Sequence, residues 1–224
     1  MIIHDAPQGT IEWYSARAGR ITGSQFKTAR ERLKSGPNKG GHSKAALDYA
    51  FRLAVERISG LPLDEGFETW AMRRGKELEP EARLYLSRHL GADIHECGFV
   101  TSDCGRFGAS ADGFIGQDAA VEIKCLVSPE RIREFILEGK ADDFMDQVQG
   151  GLWITGRQCW YLALYCPALA GINRELTVYE VERDPQYIAA LRDDLERFDG
   201  LVENYRSRLI EHAHTEAQPP AMVA

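Results

Sequence analysis

Asp112, Glu122 and Lys124 are the residues of this chain whose types and spacing best suit chemistry. Nine residues separate Asp112 from Glu122, and one residue, Ile123, separates Glu122 from Lys124. The stretch from Ala120 to Cys125 reads as a short buried strand, on which alternate side chains share a face. Glu122 and Lys124 then point the same way, on either side of apolar Ile123. The Gly-containing turn from Asp112 to Asp118 can fold Asp112 back beside them. Two carboxylates and an ammonium on one sheet face suit a divalent cation, because Mg²⁺ takes carboxylate oxygens and keeps waters for a phosphate ligand. A neighbouring lysine can orient an attacking water or help to deprotonate it. The same residues also fit a plain hairpin with a surface Glu/Lys pair, an interaction worth roughly 0–1 kcal/mol.

The elements that must position these residues come from the patterning around them. Trp13 to Arg17 reads as a short helix, followed by a turn from Gly19 to Ser24. Ser24 is placed to cap a helix that begins at Gln25. Ser35 to Gly41 is a flexible basic loop. Ser43 caps a helix from Lys44 to Ser59, with Leu47, Ala50, Phe51, Ala54, Val55 and Ile58 as its apolar stripe and Gly60 as its stop. A second long helix runs from Thr69 to Leu90, and Pro80 predicts a kink or break within it. Strands are predicted at Ile94–Thr101, Arg106–Ser110, Ala119–Cys125, Cys159–Cys166 and Leu176–Val181. Pro129 opens a helix to Leu137 with Gly139 beyond its end. Further helices span Ala141–Ile154 and Asp184–His212. The fold class is α/β, helices flanking a central mixed sheet of about five strands. The 224 residues are read as a single domain, with a disordered tail over residues 216–224.

Composition narrows the function classes. No run of apolar residues is long enough for a membrane span, so no membrane partner is expected. The start of the chain lacks the basic and apolar stretches of a secretory signal, which points to the cytoplasm. The five cysteines form no C-x-x-C pair and read as buried free thiols rather than disulfides, a zinc site or an iron–sulfur site. Net charge is −7, yet residues 17–44 carry eight lysines and arginines against one acid, Glu31. A basic segment on an acidic body suits a protein that holds a polyanion while its acids bind metal, and it equally fits a solvated loop.

Several ordered motifs, spread over residues 10–200, resemble the lambda exonuclease family of phage recombination nucleases, the phage-type alkaline exonucleases. Trp13, Arg17, Gly19, Ile21, Thr22 and Ser24 look like the family's opening W-x-x-x-R-x-G-x-I-T-[AG]-S. Gly75 and Glu79 match its G-x-x-x-E helix. Ser110-Ala111-Asp112-Gly113 matches S-P-D-G with alanine in place of proline. Glu122-Ile123-Lys124-Cys125 matches E-[IL]-K-C, and Gln147-Val148-Gln149 with Leu152-Trp153 matches Q-V-Q-x-x-[LM]-W.

The resemblance implies a restriction-endonuclease-like PD-(D/E)xK fold and a 5′-to-3′ exonuclease. Such an enzyme degrades one strand of linear duplex DNA and leaves a 3′ overhang for single-strand-annealing recombination. It implies two Mg²⁺ ions per site, with Mn²⁺ as a substitute, held by Asp112, Glu122, the Ile123 carbonyl and Glu79. Paired metals about 3.5–4 Å apart stabilise the attacking and leaving oxygens of an in-line displacement. Lys124 is then the water-activating residue, with its pKa depressed beside the cations, and Gln147 positions the scissile phosphate or the water. Arg17 and Ser24 resemble a 5′-phosphate pocket. Simpler roles exist for each: an i,i+4 pair of Glu79 with Arg83, an exposed helical Gln147, and an Arg17–Glu12 ion pair. Asp103 lies one residue off the spacing of a further family acid and is not assigned. The family also implies a homotrimeric ring around double-stranded DNA and a single-strand annealing protein as partner. Alternative readings are an endonuclease of the same fold and a non-catalytic DNA-binding module.

Overall fold

The computed structural model describes residues 1–63 and 69–215. The expected tail after Thr215 lies outside the described residues. Helix caps follow local chemistry closely. Helix α1 (Ile11–Arg17) starts where the Thr10 hydroxyl accepts from the Trp13 amide. Helix α3 (Lys44–Ser59) begins at Ser43, whose Oγ accepts from Ala46. Helix α4 (Trp70–Leu90) begins at Thr69, and α5 (Pro129–Glu138) at Ser128. Helix α6 spans Asp142–Thr155. Asp184 caps α7 (Pro185–Thr215) by accepting from Gln186 and Tyr187. Helices α3 to α6 each end on a glycine in the left-handed region, Gly60, Gly91, Gly139 and Gly156.

The strands form two four-stranded sheets instead of one sheet of about five. The first contains β1 (Ile2–His4), β2 (Ile21–Thr22), β3 (Phe99–Thr101) and β4 (Phe107–Ala109), in the order β1-β3-β4-β2. The second contains β5 (Gly113–Ile115), β6 (Ala119–Lys124), β7 (Cys159–Tyr165) and β8 (Leu176–Glu182), in sequence order. Strands β6 and β7 run parallel, with Glu122 opposite Leu162, and α5 and α6 make the crossover between them. Strand β6 also pairs antiparallel with β5, and β7 pairs antiparallel with β8. Three short strands, β1, β2 and β5, lie where turns or no element were expected, because two or three residues carry too little periodicity to read. The predicted strand over Ile94–Thr101 shrinks to β3, and the chain before it makes only a single bridge, His95 to Phe114.

Strand alternation divides the second sheet into two faces. Ala120, Leu162 and Leu164 face α5 and α6, packing with Phe135, Phe144, Val148 and Leu152. Val121, Ile123, Ala163 and Tyr165 face Ala82 and Leu86 of α4. Helix α4 continues through Pro80 without the expected break. An interior proline costs about 3 kcal/mol or more, and burial of Ala82 and Leu86 on the sheet offsets it. The first sheet is covered by α2 (Phe26–Arg30), α3 and α7 through Phe26, Leu53, Leu191, Leu195 and Phe198.

The inward face of α3 is rotated from the expected stripe. Ala46, Ala50, Leu53 and Ala54 are buried with Glu56, while Leu47, Phe51 and Ile58 are exposed. Small residues at three of these positions, Ala46, Ala50 and Ala54, let α3 lie close to α2 and α7, which a count of large apolar residues cannot reveal. The cysteines are all free, but none is fully buried: Cys104 is exposed and the other four are half-buried.

Helix α6 lies close to its neighbours because two successive glycines give it a flat side. A Cβ on Gly151 would stand 2.4 Å from Trp160 Cη2, and one on Gly150 would stand 2.3 Å from Phe26 Cε2. Replacing a helical glycine by alanine ordinarily stabilises by about 1 kcal/mol. Here overpacking reverses the sign, so Gly151→Ala should destabilise by about 1–3 kcal/mol, as measured by urea unfolding. A neutral or stabilising result would show that α6 and β7 are not in such close contact.

Candidate active site

Strand β6 delivers Glu122 and Lys124 to one face, as alternation requires. Lys124 Nζ donates to Glu122 Oε1 over 2.6 Å. Gln147, on α6 above this face, completes a triangle. Its Nε2 donates to Glu122 Oε1 at 2.7 Å, and its Oε1 accepts from Lys124 Nζ at 3.1 Å. The simpler reading of Gln147 as an exposed helical residue therefore gives way to a role inside the cluster. Asp112 folds back onto the same strand: its Oδ2 accepts from the Ile123 amide at 2.6 Å. Its own amide donates to the Val121 carbonyl, continuing the β5–β6 pairing by one residue.

Other residues fasten the Asp112 turn from outside. Trp13 Nε1 donates to Ser110 Oγ, Gln8 Nε2 to the Ala111 carbonyl, and Arg83 Nε to the Asp112 carbonyl. Arg83 also pairs with Glu79 at 2.5 Å and with Glu96. Glu79 thus makes the i,i+4 pair, yet it also stands near the cluster: the charge of Glu122 acts on it, and its own charge acts on Asp112.

The electrostatics of the cluster follow from burial. Burial, with the charges of Glu122 and Glu79, raises the Asp112 carboxyl well above the usual carboxylate range, against the pull of Lys124 and the Ile123 amide. Burial, and the Glu122 and Glu96 charges, likewise raise Glu79 despite Arg83. For Lys124, burial pushes downward, but Glu122 and Asp112 outweigh it and hold the ammonium above its ordinary value. That direction is opposite to the depression expected beside cations, because among the protein's own groups the two acids outweigh the one cation that acts on the lysine, Arg131.

The residues present fit a divalent cation. Glu122 Oε2 is buried and meets no hydrogen-bond donor, a situation that costs about 1–3 kcal/mol unless a partner is supplied. Among the described residues, no three His, Cys, Asp or Glu side chains gather into a group that could hold a metal by themselves. Mg²⁺ nevertheless asks for only one or two carboxylates, the remaining positions going to water and substrate phosphate. Asp112 and Glu122 meet that requirement.

A second feature lies at the α1–β2 turn. An open cavity of about 310 Å³ is lined by Arg17, Arg20, Thr22, Ser24, Tyr49, Arg52, Glu56 and Lys76, among others. The structure thus brings Arg17 and Ser24 together. The Arg17 guanidinium lies 4.1 Å from the centre of the Trp13 ring, and its Nη2 is 3.5 Å from Thr22 Oγ1. Ser24 does not cap a helix as expected. It sits within a one-turn 3₁₀ segment, Gly23–Gln25, and α2 starts at Phe26 without a side-chain cap. The cavity adjoins the carboxylate cluster twice. Gly23 packs near Gln147, and Trp13 links Arg17 to the Ser110 turn.

Sequence reasoning missed the α3 contribution to this cavity, from Tyr49, Arg52 and Glu56. The available signal was an acid, Glu56, four residues after Arg52 and inside an otherwise apolar helix face. Part of the excess charge of residues 17–44 is answered within the fold. Lys27 pairs with Asp143, Arg30 with Asp146 and Asp194, and Lys44 with Asp48. Asp103, left unassigned, is exposed and pairs with the N-terminal ammonium, away from the cluster.

Raised carboxyl pKa values carry a linkage consequence. Below the ordinary carboxylate range, Asp112 is protonated whether the chain is folded or not. As pH rises past that range the unfolded carboxyl ionises first, so this group lowers stability as pH climbs toward its raised folded value. In EDTA at neutral pH, Asp112→Asn should therefore be more stable than wild type by on the order of 1 kcal/mol, the gain fading toward pH 3. Urea melts across pH would test this, and a variant less stable at neutral pH would contradict it.

Comparison with known proteins identifies the family and the fold. The model of the YqaJ-like viral recombinase domain matches residues 12–158. No curated protein matches the chain. Among solved structures, LHK-Exo in complex with dAMP is 26% identical, covers 92% of this chain and 99% of its own, and superposes with a TM-score of 0.80. A second structure of this alkaline exonuclease, from Laribacter hongkongensis, gives 26% identity over the same shares and a TM-score of 0.78. A phage-related exonuclease from Haemophilus somnus 129PT, 16% identical over 87% of this chain and 96% of its own, shares the fold with a TM-score of 0.65. The resemblance to the lambda exonuclease family, carried first by Trp13, Arg17, Asp112, Glu122, Lys124 and Gln147, is borne out. The chain belongs to the YqaJ-like viral recombinase domain family and has the fold of the phage-type alkaline exonucleases.

Proposed function

We propose that this protein is a Mg²⁺-dependent exonuclease that digests one strand of linear double-stranded DNA from its 5′ end, leaving a 3′ overhang for strand annealing. The observation that carries the reading is the buried Glu122 oxygen without a donor, set beside Asp112, Lys124 and Gln147. Asp112, Glu122 and the Ile123 carbonyl would hold the cations, with Glu79 as the further acid beside them. Bound divalent ions would supply the positive charge that stabilises the attacking and leaving oxygens at phosphorus. Lys124, held as an ammonium beside Glu122 and Asp112, orients the attacking water by donating a hydrogen bond to it. Gln147, able to donate and accept, positions the water or the scissile phosphate. Arg17 offers a planar fork to a terminal phosphate and Ser24 a hydroxyl.

Family membership supports nuclease activity and a DNA substrate. LHK-Exo was crystallised with dAMP, a deoxynucleoside monophosphate of the class an exonuclease releases. Among the described residues no helix is long and apolar enough to cross a membrane. We further infer a cytoplasmic homotrimer acting with a single-strand annealing protein, a reading that rests on the family alone. An endonuclease of the same fold is the nearest alternative.

The test is digestion of linear duplex and of closed circular DNA, with Mg²⁺ and with EDTA. Linear duplex should be degraded only with metal, and closed circles should stay intact. Nicked circles would favour the endonuclease, and full activity in EDTA would remove the metal from the account. Lys124→Ala should lower the single-turnover rate by about 10²-fold or more while equilibrium DNA binding changes little. Lost binding at an unchanged rate would assign Lys124 to substrate binding instead.

A further inference from the structure

Glu56 is a buried acid that the proposed reaction does not use. It lies on α3 with 4% of its surface exposed, at the wall of the Arg17 cavity. Both of its oxygens accept. Oε2 accepts from the Gly19 amide at 2.8 Å. Oε1 accepts from Arg52 Nε at 2.9 Å and from the Leu63 amide at 3.2 Å. One carboxylate therefore joins two segments that border the cavity, the Gly19 turn and the chain leaving α3.

Neighbouring arginines complete the grip on each peptide. Arg57 Nε donates to the Gly19 carbonyl at 2.7 Å, so both backbone groups of Gly19 are held by adjacent α3 residues. Arg52 Nη2 donates to the Leu63 carbonyl at 3.3 Å, so both backbone groups of Leu63 are held as well. Gly19 is fitted to this grip. Its φ of +70° favours glycine, and a Cβ would stand 2.8 Å from Arg57 Cγ. Arg57 is itself anchored to Asp199 and Glu203 of α7, and Asp199 also holds Arg106. The grip is thus braced against the longest helix. Residues 17, 18 and 20, flanking Gly19, and Pro62, next to Leu63, all line the cavity.

We propose that Glu56 is a positioning residue that sets the width of the Arg17 cavity and so its selectivity for a terminal phosphate. This inference rests on the reading of that cavity as the 5′-end site. The substrate class it selects is a duplex end bearing a phosphomonoester rather than a hydroxyl. Glutamine is not a conservative replacement here. Every neighbour of the carboxylate donates, so an amide NH₂ must face either Gly19 or the Arg52 and Leu63 donors. The grip on one of the two segments is released, and Arg17 is no longer held at a fixed distance from the Pro62 segment.

The experiment compares kcat/KM on duplexes with 5′-phosphate and 5′-hydroxyl ends for wild type, Glu56→Gln and Arg17→Ala, with circular dichroism and thermal melting of each. Glu56→Gln should lower the phosphate-to-hydroxyl ratio by about tenfold, the factor that corresponds to about 1.4 kcal/mol. A purely structural role would slow both ends alike and leave the ratio where it was, which would overturn the proposal. If Glu56→Gln leaves the ratio unchanged while Arg17→Ala abolishes it, the end site stands and the positioning role falls. If Arg17→Ala also leaves it unchanged, the end-site reading fails and this inference with it. Should Glu56→Gln not fold, Gly19→Ala displaces the same grip through the Arg57 contact. It should then lower the ratio in the same direction, and an unchanged ratio would again overturn the role.

Discussion

The constraint on which this structure turns is the burial of two carboxylates against one ammonium on strand β6. Glu122 is nearly inaccessible, and burial with like charge drives Asp112 toward its neutral form. Groups of this kind cost several kcal/mol each to remove from water unless they are paired. The fold meets the cost only in part. Lys124 and Gln147 satisfy one Glu122 oxygen, the Ile123 amide satisfies one Asp112 oxygen, and Glu122 Oε2 is left without a donor. A cluster incompletely satisfied by its own protein suits an external cation and the phosphate that comes with it.

Much of the architecture serves to bring α6 near that cluster. Gln147 can reach Glu122 because α6 lies flat on β7, where Gly151 admits Trp160. The same flat side admits Phe26, which roots α2 and the turn before it. That turn carries Ser24, and its Gly23 packs near Gln147. Small residues therefore couple the carboxylate cluster to the Arg17 cavity by allowing close backbone approach. Trp13 makes the second connection, with its ring face under Arg17 and its indole N–H on Ser110.

Charge is partitioned along the chain in a way that net charge conceals. Within the basic segment of residues 17–44, Lys27 and Arg30 pair with Asp143, Asp146 and Asp194 of α6 and α7. Arg57 and Arg106 converge on Asp199, which is 2% exposed. The arginines of this region are structural and recognition elements at once, since the planar guanidinium can serve a carboxylate and stack on an aromatic ring together. Arg30 does both, pairing with Asp146 and Asp194 beside Tyr187.

The sequence by itself determined the features governed by local rules. Caps at Ser43, Thr69, Ser128 and Asp184, glycine stops at Gly60, Gly91, Gly139 and Gly156, and the shared face of Glu122 and Lys124 all follow from neighbours within a few residues. The motifs around Asp112 and Gln147 were legible through the resemblance to the family, while spacing along a strand fixed side-chain direction for Glu122 and Lys124 alone. Tertiary structure alone decided what depends on contacts distant in the chain. These include the split into two sheets, the survival of α4 through Pro80, the rotated inner face of α3 and the three-way use of Glu56. In each case the partner lies in an element whose position no periodicity encodes. The burial energy of that partner outweighs the local preference that a reader of the sequence can see.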